Sequence, residues 1–156
     1  MVANLLKSVV HNVGVLIVGF AFAYLGTTID SALHLRPLIV PFGRPAALLL
    51  LLIGFSLRLW AAYHFYTHGM HVISLEPQGT LITTGPYRFS RNPLYLGGNV
   101  FVFFGAALLM RSPAALVMTV LHLPLIDLFI RREEVQLERR FGDEWRAYKS
   151  RVRRWI

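Results

Sequence analysis

The side chains best suited to chemistry fall into two groups. One is the polar stretch Thr84-Gly-Pro-Tyr-Arg-Phe-Ser-Arg-Asn-Pro-Leu-Tyr-Leu-Gly97, which lies between long apolar runs and carries Arg88, Arg91, Tyr87 and Tyr95. Gly85-Pro86 is a turn dipeptide, and Pro93 favours an extended Asn92 while suiting the first turn of a helix. Two arginines and the free N–H groups of a helix start attract anions. The same residues equally suit a basic loop resting on lipid headgroups. The other group is Asp127, Arg131, Glu134 and Glu138, spaced four, three and four apart, which places them on one helical face. Asp127 with Arg131 has the spacing of an intrahelical ion pair, and Glu138 that of a solvated one. Glu133 and Glu134 stand where the basic loop would dock, so they are the candidate acids.

These charges need elements that hold them. The 156-residue chain is 55% hydrophobic with a formal charge of +8; its mean hydropathy is +0.53. That is too apolar for an ordinary soluble domain, and the size allows one unit. The fold expected is all-α and polytopic, a single domain over 1–156 with about four membrane-spanning helices at about 9–27, 45–66, 93–110 and 113–131. Pro124 should kink the last span, which continues outward to Gly142, a candidate cap, and then a short terminal helix that serves as a lid. Thr80 to Thr84 reads as a short extended piece. Four spans put both ends on one side. Lys7, Arg88, Arg91 and the basic tail fall there, against Arg36, Arg44 and Arg111 opposite, so both termini and the central loop are expected in the cytoplasm. Basic residues beside apolar spans point to anionic lipid rather than nucleic acid.

With no cysteine, disulfides, thiol nucleophiles and Cys-based zinc sites are excluded. His64 and His68 are four apart and His71 is close by, but no third ligand is evident, so no metal is expected. An ionisable residue inside a span is a functional candidate. Arg58 is one, either snorkelling, pairing with Asp127 or orienting a substrate carboxylate. A ligand bearing a carboxylate would be met by Arg88 or Arg91, and one bearing a cation by Glu133 or Glu134. S-adenosylmethionine carries both, as do many zwitterions.

Two separated motifs add to this reading. Leu81-Ile-Thr-Thr-Gly-Pro-Tyr-Arg-Phe-Ser-Arg-Asn-Pro-Leu-Tyr-Leu-Gly97 resembles the motif of the isoprenylcysteine carboxyl methyltransferase and phospholipid methyltransferase superfamily. So do Glu133-Glu134, Glu138, Phe141-Gly-Asp-Glu-Trp-Arg-Ala-Tyr-Lys149 and Arg151-Val-Arg-Arg-Trp-Ile156. The resemblance covers about the last half of the chain. It implies an integral-membrane enzyme that binds S-adenosylmethionine in a cytoplasmic region, 76–97 with 131–156, and takes a lipophilic substrate from the bilayer. By the same resemblance the cofactor site uses Gly85, Tyr87, Arg88, Arg91, Asn92 and Pro93, then Tyr95, Gly97, Glu133 and Glu134, with Tyr148 and Arg151 supporting the lid. Asn92 stands where the eukaryotic isoprenylcysteine enzymes have histidine, which resembles the bacterial branch and a bacterial or archaeal inner membrane.

Methyl transfer from a sulfonium is an in-line displacement, dominated by placement and exclusion of water. A carboxylate acceptor needs only a cation, for which Arg58 and Arg131 are candidates. An amine or thiol needs a base, for which Glu134, Asp127 and His122 are candidates. Competing readings are a membrane reductase of the sterol-reductase type using NADPH and a non-enzymatic four-span lipid-binding protein. The chain is expected to be a monomer or a homodimer through its first span.

Overall fold

The computed structural model describes residues 2–70 and 79–156. Among these residues every regular element is a helix and there is no strand. The first helix, α1, spans Val2–Ala32, and α2 spans Gly43–Thr67. A short 3₁₀ turn at Gly85–Arg88 leads into α3, Pro93–Leu109, and α4 spans Pro113–Arg151. Thr80 to Thr84 pairs in no strand, although Thr84 itself is extended (φ −104°, ψ 173°), and the left-handed Gly85 (φ 60°) turns the chain into the 3₁₀ turn. The expected cofactor region begins at 76, and His71 belongs to the expected histidine group; 71–78 lie outside the described residues.

Three helices, α1, α2 and α4, are long and apolar enough to cross a membrane, and α3 is a shorter apolar helix. At 1.5 Å per residue, α3 reaches only about 25 Å. The third of the four expected spans is therefore shorter than its neighbours. It is also irregular: Leu96–Val102 adopts π spacing between two α-helical segments. Single-turn π segments widen a helix and recur at functional sites.

The helices approach closely because small residues line their contacts. A Cβ on Gly54 of α2 would fall 2.6 Å from the Gly97 carbonyl of α3. A Cβ on Gly26 of α1 would fall 2.5 Å from the Ala115 Cβ and 2.6 Å from the Ala115 backbone of α4. At this end, Asp30 of α1 accepts hydrogen bonds from the Ser112 hydroxyl and the Ala114 N–H. Ser112 caps α4 in turn through the Ala115 N–H at 3.0 Å, satisfying donors that a helix start otherwise leaves open.

Pro124 lies within α4, but the helix breaks at Gly142, whose φ of 51° and ψ of −118° leave the helical region. Only glycine takes such a conformation without strain. The segment after it turns back over the polar end of the bundle and runs to Arg151.

Overpacking of these contacts is directly measurable. Gly26→Ala should destabilise the detergent-solubilised protein by roughly 1–3 kcal/mol. Gly14→Ala, where a Cβ meets nothing within 4 Å, should leave the thermal midpoint unchanged or raise it, because alanine is the better helix former. Equal midpoints for the two variants would refute the packing described.

Candidate functional site

The polar end of the bundle is held by one carboxylate. Glu134, 5% exposed, receives Arg91 Nε at 3.1 Å and Nη2 at 2.8 Å on Oε1. It also receives Arg154 Nη2 at 2.7 Å on Oε2. Arg91 spends its remaining nitrogen, Nη1, on the carbonyls of Val152 at 2.6 Å and Lys149 at 3.1 Å. Its guanidinium lies 5.7 Å from the centroid of the Trp145 ring, at cation–π range. The backbone joins the same latch: Arg91 N–H donates to the Arg153 carbonyl at 2.9 Å, and the Asn92 side chain donates to the Arg154 carbonyl at 3.1 Å. The loop, α4 and the tail thus close on one buried acid.

Burial by itself would raise the Glu134 carboxyl. The hydrogen bonds and charges of Arg154 and Arg91 outweigh it and hold the group below the ordinary glutamate value. Glu133 differs. Burial of its carboxyl raises it above the ordinary value, opposed by the hydrogen bond from the Tyr95 hydroxyl at 2.7 Å.

Beneath the latch lies a cavity of about 610 Å³, within the range of small-molecule sites. Its wall at the polar end is aromatic: Phe65, Tyr87, Phe141, Trp145 and Tyr148. Arg132, Glu133 and Tyr95 add polar groups, while Val15, Val18, Phe103 and Phe129 continue the wall among the spans. Tyr148 donates to the Tyr87 carbonyl at 2.8 Å and fixes the terminal helix against the 3₁₀ turn. The Tyr87 hydroxyl and the Trp145 indole N–H are buried with no hydrogen-bond partner among the described residues. Buried donors without partners are costly, and both belong to side chains that line this cavity.

The structure separates the expected site residues. Tyr87, Arg91, Asn92, Pro93, Tyr95, Glu133 and Tyr148 line the cavity, as does Arg58. Glu134 does not, because its carboxylate is enclosed by Arg91 and Arg154. Arg91 lines the wall, but its donors are directed to Glu134 and the tail rather than held open for a carboxylate. Asp127 and Arg131 pair with each other at 2.7 Å, with Asp127 also taking Arg154 at 3.1 Å; neither lines the cavity. Arg88 and Arg151 are exposed and outside the wall, Arg151 donating to the Ala147 carbonyl. Gly85 packs on the His64 ring and Gly97 on the Arg58 stem. Arg58 does not reach Asp127. It bonds Asn12, Leu94 and His11 instead, because it rises from the α2 face turned to α1 and α3. His64 and His68 stack at 6.4 Å, and His68 Nδ1 lies 2.7 Å from the His64 carbonyl oxygen. His122 lies 3.1 Å from Asn99 Oδ1.

Arg154 escaped the sequence reading because one arginine in a basic tail looks like any other. The aromatic wall carried a fainter signal, since Phe141, Trp145 and Tyr148 recur at four and three residues.

The latch should be acid-sensitive. A carboxyl held low in the folded chain contributes stability that is complete above its unfolded value and disappears as pH falls through the folded one. Glu134→Gln should cost about 3–5 kcal/mol near neutral pH, as expected for breaking one side of a buried pair. The difference from wild type should shrink on acidification to about pH 4 or below. Thermal unfolding of both proteins across that range checks it, and a pH-independent difference would contradict the assignment.

Comparison with known proteins converges on the same region. The family model for phospholipid methyltransferase matches residues 43–144, taking in α2, the loop, α3 and α4 as far as the terminal segment. A protein of Haemophilus influenzae described as an uncharacterized protein is 63% identical over 27 residues, 17% of this chain. The chain spans 43% of that protein's length. No solved structure matches the chain. With about two thirds of its length matched by that family model, and helices fit to cross a membrane, this chain belongs to the phospholipid methyltransferase family of integral membrane proteins.

Proposed function

We propose that the protein is an S-adenosylmethionine-dependent methyltransferase acting on a lipophilic acceptor, with its cofactor end and both termini in the cytoplasm of a bacterial or archaeal cell. The observation that carries the reading is the cavity itself. It joins an aromatic, partly charged chamber to an apolar channel, and two of its buried donors, on Tyr87 and Trp145, lack partners. Family membership supports the reaction class, and the concentration of Lys and Arg at the loop end supports the orientation.

The donor set suits this cofactor. Phe65, Phe141, Trp145 and Tyr148 offer ring faces for a purine, and the indole N–H and the Tyr87 hydroxyl offer hydrogen bonds to its polar atoms. Glu133, held by Tyr95, is the acid available to a positive sulfur. Arg132, at the cavity wall, is the cation available to the amino-acid carboxylate. Bound there, S-adenosylmethionine supplies a methyl carbon made electrophilic by its sulfonium. The chain's part is placement. The aromatic wall and the latched terminal helix exclude water, and the apolar channel aligns the acceptor. Glu134 contributes by holding the terminal helix closed, since its carboxylate is committed to two arginines.

Calorimetry on the purified protein tests the reading. S-Adenosylhomocysteine should bind, and Trp145→Phe, which removes one donor, should weaken it about three- to tenfold. Glu133→Gln should weaken S-adenosylmethionine by about tenfold while changing S-adenosylhomocysteine little, because only the former carries the positive charge. Binding of NADPH in place of S-adenosylhomocysteine would overturn the proposal in favour of a reductase. Binding of neither would favour a lipid-binding protein.

A further inference from the structure

Asn99 is a carboxamide at membrane depth, half-buried within the π segment of α3. It lines the cavity beside the apolar groups Val15, Val18, Phe103 and Phe129. Tyr95, Asn99 and Phe103 recur at four residues and all line the cavity, so one face of α3 runs from the aromatic chamber to the apolar channel with Asn99 between. A polar side chain at this depth is costly unless its donors and acceptors are met, and such residues mark ligand paths.

Half of this carboxamide is met. His122 of α4 brings Nε2 to 3.1 Å from Asn99 Oδ1. The His122 Nδ1 is buried and has no partner among the described residues. A buried N–H there would go unpaired, so the proton of the neutral imidazole is on Nε2 and is donated to Oδ1. The imidazole is itself held. It stacks on the Phe103 ring at 5.1 Å and 8°, and the Phe22 ring tilts against both, 5.8 Å from His122 and 5.0 Å from Phe103. His122 does not line the cavity, so it acts through Asn99. With Oδ1 turned to His122, the amide nitrogen is the end left for the cavity, and its two N–H groups make no hydrogen bond among the described residues.

We infer that Asn99, oriented by His122, donates a hydrogen bond to a neutral oxygen of the lipophilic ligand, such as the carbonyl of an ester or ketone, and is a specificity-determining residue of the cavity. An amide N–H carries no charge, so it selects an oxygen without demanding an anion. A ligand with only hydrocarbon at this point strands the donor, which is how a polar site rejects an analogue lacking the matching group. Asn99 lies four residues beyond Tyr95, about 6 Å along the helix. The oxygen it reads therefore belongs near the end of the ligand that meets the chamber, not far along its tail. This deepens the proposed function by giving the lipophilic ligand a neutral polar group at a stated place, and it rests on the cavity being that ligand's site.

Infrared spectroscopy and competition binding in a neutral detergent test it, with methyl hexadecanoate labelled with carbon-13 at its carbonyl and an alkane of matched length. Bound to wild type, the labelled carbonyl band should lie at lower wavenumber than in protein-free micelles. Wild type should prefer the ester to the alkane by about three- to tenfold. Asn99→Leu should abolish both the band shift and the preference. His122→Phe, which keeps a ring between Phe22 and Phe103 but frees the carboxamide, should move the band toward its micelle position; an unmoved band would overturn the orienting role of His122. S-Adenosylhomocysteine affinity should stay within about threefold in both variants. Its absence in wild type, with the ester preference present, would overturn the cofactor assignment and leave this inference supported. Equal binding of ester and alkane by wild type, or binding of neither, would overturn the inference. So would a band shift or a preference that survives in Asn99→Leu.

Discussion

One buried carboxylate closes the polar end of this molecule. Glu134 is gripped by Arg91 from the loop and Arg154 from the tail, and through them three segments distant in sequence meet over one cavity. The arrangement has a strict electrostatic logic. An acid this enclosed is tolerated only when its oxygens are met by charged donors, and arginine can meet them from the side with two N–H groups at once. The loop cannot leave without stranding the acid, and the tail is tied to the same oxygens. The terminal helix beyond Gly142 is held by this closure together with its own packing, since Trp145 and Tyr148 are buried against Ala61, Met70, Ile82 and Tyr87 and Tyr148 donates to the Tyr87 carbonyl.

The two ends of the bundle are organised differently. At the end away from the loop, Asp30 and Ser112 accept from the free backbone N–H groups at the start of α4, which is capping and nothing more. At the loop end, charge is concentrated, a π segment distorts α3 and two donors are left without partners. Structural regularity is given up on the side where the proposed ligand would sit. Between the two lies Arg58, enclosed by glycines and neutral acceptors, at the level where the aromatic chamber becomes an apolar channel.

Much of this was legible in the chain. The apolar runs announced α1, α2 and α4, and Gly142 announced the break before the terminal helix. The Gly85-Pro86 turn and the helix start at Pro93 were equally plain, since each follows from local backbone rules. Spacing also gave the Asp127–Arg131 pair. What spacing cannot give is the partner across the fold. Charge complementarity suggested that Arg91 and Glu134 would face a common ligand, whereas they face each other, because a salt bridge available within the chain forms before any ligand arrives. Arg154 went unnoticed for want of a pattern, and Arg58 was offered the wrong partner because helix rotation is invisible in a run of leucines. The π segment of α3 was equally hidden: Gly97 and Gly98 lie against Arg58, a contact that only the fold makes.

The aromatic chamber is the proposed seat of a sulfonium nucleotide. Ultraviolet cross-linking with methyl-labelled S-adenosylmethionine, followed by mass-spectrometric mapping of the labelled peptides, addresses that claim most directly. Label on the segment containing Tyr87 or Tyr95 and on the segment from Glu133 to Tyr148, competed away by S-adenosylhomocysteine, is the result expected. Label confined to α1, to α2 or to the loop joining them, or label that S-adenosylhomocysteine does not displace, would contradict it.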